Sequence, residues 1–232
     1  MTLIELLVAG VISLIAASGM VIVMANTLGT GSQTIQMARL TQEMRTSMQI
    51  MSRELKRANY HVTYLSCWGA VDCRTTLGLA SRVGAIGITD SIDSDCIWFW
   101  YNRPQSSDVM GDPVAAFRRT EIDGIGTIQM FIGDGGTNHA ACPTDSGNNI
   151  WVDITDPNII DVMSFDVSDA DSFEEEFNVE KDYQRVEKIA LTMTAKLKDD
   201  GSVRPWIQEN TNASRELTEF VSVRNNITFV GP

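Results

Sequence analysis

The side chains best suited to bind a metal or attack an electrophile are four cysteines, Cys67, Cys73, Cys96 and Cys142, and two histidines, His61 and His139. Their spacing argues against both chemistries. Cys67 and Cys73 lack the short knuckle spacing of a zinc site, and each histidine stands alone in sequence. An even number of cysteines beyond an apolar N-terminal segment reads instead as disulfides in an oxidising compartment. Of the three pairings open to four cysteines, a local Cys67–Cys73 bridge and a long Cys96–Cys142 bridge are expected. The sequence has no nucleophile elbow, P-loop or dinucleotide fingerprint, so neither catalysis nor a cofactor is expected. The run DVSDADSFEEE at 166–176 has carboxylates that suit calcium. It lacks the glycine and ligand order of an EF-hand, and a solvated acidic loop is expected there.

A further carboxylate is conspicuous for its surroundings. Residues 1–25 (MTLIELLVAGVISLIAASGMVIVMA) contain one charged side chain, Glu5. About 20 apolar residues in a helix cross a bilayer core, so this stretch is long enough to span one. A carboxylate near the middle of such a helix costs roughly 2.5 kcal/mol or more on insertion scales, and a partner is called for. The nearest candidate is the α-amino group of Met1, from the same chain or a neighbour.

The elements that must carry these residues change character along the chain. From Gln33 an amphipathic helix is predicted by Met37, Leu40, Met44, Met48, Met51, Leu55 and Ala58, which recur at spacings of three and four. Arg39, Glu43, Arg45, Arg53, Glu54 and Arg57 are assigned to the opposite face. Gly19, Gly29 and Gly31 each weaken the helix by roughly 1 kcal/mol relative to alanine without having to end it. If residues 1–59 form one helix, it is about 90 Å long. Beyond Tyr60 the period becomes that of strands, over 83–88, 96–101, 114–120, 127–132, 159–167, 186–197 and 217–223, with turn signals between them. Trp98, Phe99, Trp100 and Tyr101 read as a strand covered on both faces. The fold class expected is α+β, a long N-terminal helix packed on a mostly antiparallel β-sheet head. Three regions are expected: a membrane-type helix over 1–25, an amphipathic helix over 26–59 and a disulfide-containing head over 60–232.

Charge divides the same way. Of the net −12, residues 1–25 hold −1 and residues 26–59 hold +3, which leaves −14 for the head. An acidic head argues against specific nucleic-acid binding.

Two sets of residues carry a family resemblance. Thr2-Leu3-Ile4-Glu5-Leu6-Leu7-Val8-Ala9 resembles the class III signal of type IV pilins and type II secretion pseudopilins, with Met1 where phenylalanine is usual. Gln36-x2-Arg39-Leu40-x2-Glu43-Met44-Arg45, the run from Met51 to Tyr60, and Phe220-Val221-Ser222-Val223-Arg224-Asn225 are similar to PilW/PulJ-like minor pilins and pseudopilins. Asn59 stands where those chains have glycine. The resemblance implies a mature pilin fold whose new N-terminus at Met1 is cut by a prepilin peptidase and N-methylated. It implies storage in the inner membrane with a periplasmic head, followed by extraction by the pilus assembly machinery into an extracellular helical filament of like subunits. Glu5 would then pair with a neighbour's Met1 amine. Leu3, Ile4, Leu6, Leu7, Val8, Val11, Ile12, Leu14, Ile15, Val21 and Ile22 would form the filament core, and the Met37 to Ala58 stripe would pack on the head. Unwinding in the filament is expected between Ala16 and Ser32, around Gly19, Gly29 and Gly31.

Overall fold

The computed structural model describes residues 2–60, 86–89, 96–101, 114–132, 142–144, 150–176, 183–198, 214–224 and 227–229. His61, Cys67, Cys73, His139 and the glycine-rich run at 133–136 lie outside the described residues. The chain divides into two compact units, Met1–Arg39 and Leu40–Pro232. The division falls inside the stretch read from sequence as a single amphipathic element.

A single helix, α1 (Leu3–Leu55), contributes to both units. It passes through Gly19, Gly29 and Gly31 without a break in this single chain. Its end falls short of the expected residue 59. After Leu55 the bonding tightens to three-residue spacing, Arg57 N–H to Glu54 O at 3.0 Å and Ala58 N–H to Leu55 O at 3.0 Å. Asn59 then takes a left-handed conformation, with φ of 63°. Such a residue stops a helix, and glycine or asparagine adopts it at least cost.

Every strand pair among the described residues of the head is antiparallel. Strands β1 (Gly87–Thr89), β2 (Cys96–Trp100), β3 (Val114–Ile122), β4 (Ile125–Ile132) and β5 (Ile150–Asp153) form a sheet in that order. The β3–β4 turn is Asp123-Gly124, both at positive φ (53° and 77°), the two-residue geometry whose twist matches the strands it joins. Strands β6 (Ile160–Ser168), β9 (Lys188–Leu197) and β10 (Arg215–Ser222) form a second sheet, ordered β10-β9-β6. Strands β7 (Phe173–Glu176), β8 (Tyr183–Val186) and β11 (Ile227–Phe229) form a third, ordered β11-β8-β7.

The second and third sheets are one three-stranded ribbon bent across its width. Ser168 pairs with Ala190 on one side of the bend and Phe173 with Val186 on the other. At the bend Val223 N–H donates to Glu187 O at 3.0 Å, and Lys188 N–H donates to Ser172 Oγ at 2.9 Å. The single strand expected over 186–197 is therefore interrupted at Glu187. The acidic stretch at 166–176 is likewise no loop. It comprises the end of β6, a turn, and all of β7.

Alternation fixes what each face buries. In the five-stranded sheet, Ile97, Phe99, Phe117 and Ile128 are fully buried on one face, with the Phe99 and Phe117 rings 6.3 Å apart. The other face holds Trp98, Val114, Ala116 and Phe131 around the Cys96–Cys142 disulfide, the long bridge expected from sequence. Strand β9 alternates strictly, burying Ile189, Leu191, Met193, Ala195 and Leu197. A bulge between Val162 and Ser164 in β6 turns Met163 outward.

Strands β3 and β4 both meet β6 at that bulge. Arg119 Nε donates to Val162 O at 2.7 Å, and Gly126 N–H donates to Asp161 Oδ1 at 2.9 Å. A Cβ on Gly126 would fall on the Val162 carbonyl. Backbone cannot yield as a flexible side chain can, so Gly126→Ala is expected to destabilise the head by about 2 kcal/mol. Chemical denaturation of the two proteins checks this; equal midpoints would contradict the close approach. Opening the 46-residue Cys96–Cys142 loop by Cys142→Ser is expected to cost about 2–4 kcal/mol in the same assay.

Candidate functional site

The first turn of α1 is built by Thr2-Leu3-Ile4-Glu5. Thr2 precedes the helix and Glu5 is its third residue, the spacing of a capping box. Glu5 Oε2 accepts the Thr2 N–H at 2.8 Å. The carboxylate thus satisfies a donor that the helix would leave bare, at the positive end of the helix dipole. In the single chain this is where Glu5 finds a partner.

Past this cap the helix is apolar and uncovered. Every large apolar side chain from Leu3 to Leu28 is at least 49% exposed, including all the expected core positions from Leu3 through Ile22. The segment also contains hydroxyls, and these turn inward on the helix's own backbone. Ser13 Oγ donates to Ala9 O at 2.8 Å, Ser18 Oγ to Ile15 O at 2.8 Å, Thr27 Oγ1 to Val23 O at 2.9 Å and Thr30 Oγ1 to Asn26 O at 2.7 Å. A hydroxyl bonded in this way needs no water. The helix is long and apolar enough to cross a membrane, and these bonds fit it for surroundings with no hydrogen-bonding solvent.

From Leu40 the same helix is anchored in the head. Leu40, Met44, Met48, Met51, Leu55 and Ala58 are at most 1% exposed, and Met37 is half-buried in the preceding unit. Two polar side chains tie it to the segment between β5 and β6. Ser47 Oγ donates to Ile154 O at 3.2 Å, and Glu43 Oε1 accepts the Asp156 N–H at 3.0 Å. At the helix end Arg57 lies over the Tyr101 ring, 5.0 Å from its centre.

Glu54 corrects the sequence assignment. The periodicity puts it on the solvent face, but it is buried, with its carboxylate held by Arg57 Nη1 at 3.0 Å and Arg53 Nε at 3.4 Å. It flanks the apolar stripe and is shielded with the help of its basic neighbours. Ser47 and Glu43 were missed as anchors because a lone polar residue beside a stripe carries no signal of what it faces. Among the described residues no group of three His, Cys, Asp or Glu side chains is placed to hold a metal.

The family described as prepilin peptidase-dependent protein B matches residues 33–221. The chain belongs to that family. It is accordingly a member of the type IV pilin superfamily, a pilin- or pseudopilin-type subunit. The match begins beyond the signal-like residues 2–9, so the N-terminal motif and the family match are separate observations. The solved structure of a type IV-like pilin from Thermus thermophilus is also similar, at 12% identity over 81% of this chain and 98% of that chain, with a TM-score of 0.41. No curated protein sequence matches the chain.

The helix end of this pilin-type chain gives a direct test. Asn59 has positive φ and a buried amide without a hydrogen-bond partner among the described residues. Asn59→Ala is expected to destabilise the head by about 1 kcal/mol, whereas Asn59→Gly leaves it unchanged or stabilised. Thermal unfolding of both variants checks this; an alanine variant as stable as the glycine one would contradict it.

Proposed function

We propose that the chain is a structural subunit of a type IV pilus-like filament, held in the inner membrane by α1 and drawn by its assembly machinery into a helical assembly. The observation that carries this is the apolar surface between Leu3 and Leu28, exposed on one chain with its hydroxyls already bonded internally. Such a surface requires burial by lipid or by other helices. The two environments are nearly equal for apolar side chains, so the transfer between them is selective only through its charges. Glu5 and the α-amino group of a neighbour's Met1 supply them. Pairing them offsets the cost of carrying each alone and fixes the register between adjacent helices. The family's description as prepilin peptidase-dependent supports processing by that peptidase. Hydrolysis of the peptide bond before Met1 would free this amine, and N-methylation would modify it while leaving it able to carry a charge. The role is structural rather than catalytic.

A second reading places the chain at the filament tip as a minor pilin or pseudopilin that initiates assembly or adheres. It rests on the resemblance of Gln36–Arg45, Met51–Tyr60 and Phe220–Asn225 to PilW/PulJ-like chains. The number of copies per filament, measured by quantitative mass spectrometry, separates shaft from tip.

The experiment on the central pairing uses Glu5→Gln, because glutamine can still accept the Thr2 N–H while carrying no charge. We expect the variant to accumulate in the membrane with a folded head, and its recovery in sheared filaments to fall at least about tenfold. Recovery equal to the unaltered chain would show that the charge is dispensable and remove the pairing from the account.

A further inference from the structure

The face of α1 that the head leaves uncovered is cationic. Gln42, Arg45, Thr46, Gln49, Arg53 and Lys56 fall within about 100° of arc, opposite the buried apolar stripe. All are exposed except Lys56, which is partly so, and no carboxylate lies among them. The two acids of this stretch are otherwise engaged, Glu43 with the Asp156 N–H and Glu54 with Arg53 and Arg57. Among the described residues Arg45 and Lys56 have no carboxylate partner.

The head presents the complementary charge on strand β7, which has no second neighbouring strand among the described residues. Strand β7 is the outer strand of its sheet, and its four side chains, Phe173, Glu174, Glu175 and Glu176, are all exposed. Asp166 and Asp171 precede it, also exposed. None of these five carboxylates forms an ion pair among the described residues, and Glu174 stands opposite Arg185 of β8 in the strand register. The Lys188 ammonium group instead lies over the Phe173 ring, at 5.1 Å.

We propose that the exposed face of α1 and the turn that ends it, around Arg45 and Lys56, is a docking surface for β7 and its leading turn on a second copy of this chain. The proposal rests on the filament reading. Once apolar helices are bundled side by side, the polar stretch that follows each one is crowded by neighbouring subunits. A stripe whose Arg45 and Lys56 have no carboxylate partner among the described residues then meets either its own sign or the acidic edge. Charges further apart than a Debye length of about 8 Å are screened at physiological salt, so the pairing acts at contact. It selects orientation and speeds encounter more than it adds affinity, which suits a step that must repeat in one register.

Charge reversal on the full-length chain tests this. Arg45→Glu with Lys56→Glu reverses the helix face, and Glu174→Lys with Glu175→Lys and Glu176→Lys reverses the edge. All five positions are at least partly exposed, and membrane accumulation together with the Cys96–Cys142 disulfide reports that each variant has folded. Each set alone is expected to lower recovery in sheared filaments about tenfold, and the two sets combined in one chain to restore it to within about twofold. Full recovery of either set alone overturns the proposal. So does failure of the combined chain to recover, which would assign the acidic partner to a different subunit. If the unaltered chain is itself absent from filaments, the filament reading falls and this proposal with it. If only the reversals are without effect, the filament reading stands.

Discussion

One helix must bury two apolar surfaces, and its own chain covers only one of them. From Leu40 to Leu55 the stripe of α1 is closed off by the head to at most 1% exposure on its buried side chains. From Leu3 to Leu28 the side chains remain at least 49% exposed. Burying a large aliphatic side chain is worth about 1.5–3 kcal/mol, so a run this long does not stay in water. The rest of the molecule follows from that imbalance. On the proposed filament reading, the head has to hold one half of the helix firmly enough that the other half can be handed from one apolar environment to another.

The polar groups are arranged accordingly. In the outer half, hydroxyls bond back to their own helix and Glu5 caps its own N-terminus, so nothing there demands water or a fixed partner before assembly. In the head, the polar contacts are anchors instead. Ser47 and Glu43 fix the helix to the β5–β6 segment, Arg119 fixes β3 and Gly126 fixes β4 to β6, and the Cys96–Cys142 bridge closes the far side of the first sheet. The cap at Glu5 is the weaker arrangement, an exposed hydrogen bond that a neighbouring ammonium group can replace with a charge pair.

Helix and long strands were legible because their signals are periodic. The spacing of Leu40, Met44, Met48, Met51 and Leu55 assigns their face, and β9 alternates without exception. What escaped was set by tertiary contacts. Strand β7 is Phe-Glu-Glu-Glu, poor in β-propensity, and is a strand because β8 pairs with it. Strand β5 spans four residues, too few for a period to show, and β8 and β11 are similarly short. Glu54 read as a surface acid because its sequence neighbours are basic, and those same neighbours are what permits its burial. The break at Glu187 depends on hydrogen bonds from Ser172 and Val223, neither adjacent in sequence. In the first turn of α1, by contrast, Thr2-Leu3-Ile4-Glu5 showed both its apolar setting and its capping spacing directly.

The central claim is that the surface from Leu3 to Leu28 is buried by other chains in the working state. Single cysteines placed at Leu7, Leu14, Val21 and Leu28 in the full-length chain, probed with a membrane-impermeant maleimide on isolated filaments, test it most directly. The account predicts protection at all four positions in intact filaments and labelling once they are dissociated in detergent and diluted. Labelling in intact filaments at the same rate as in the dissociated chain would contradict it.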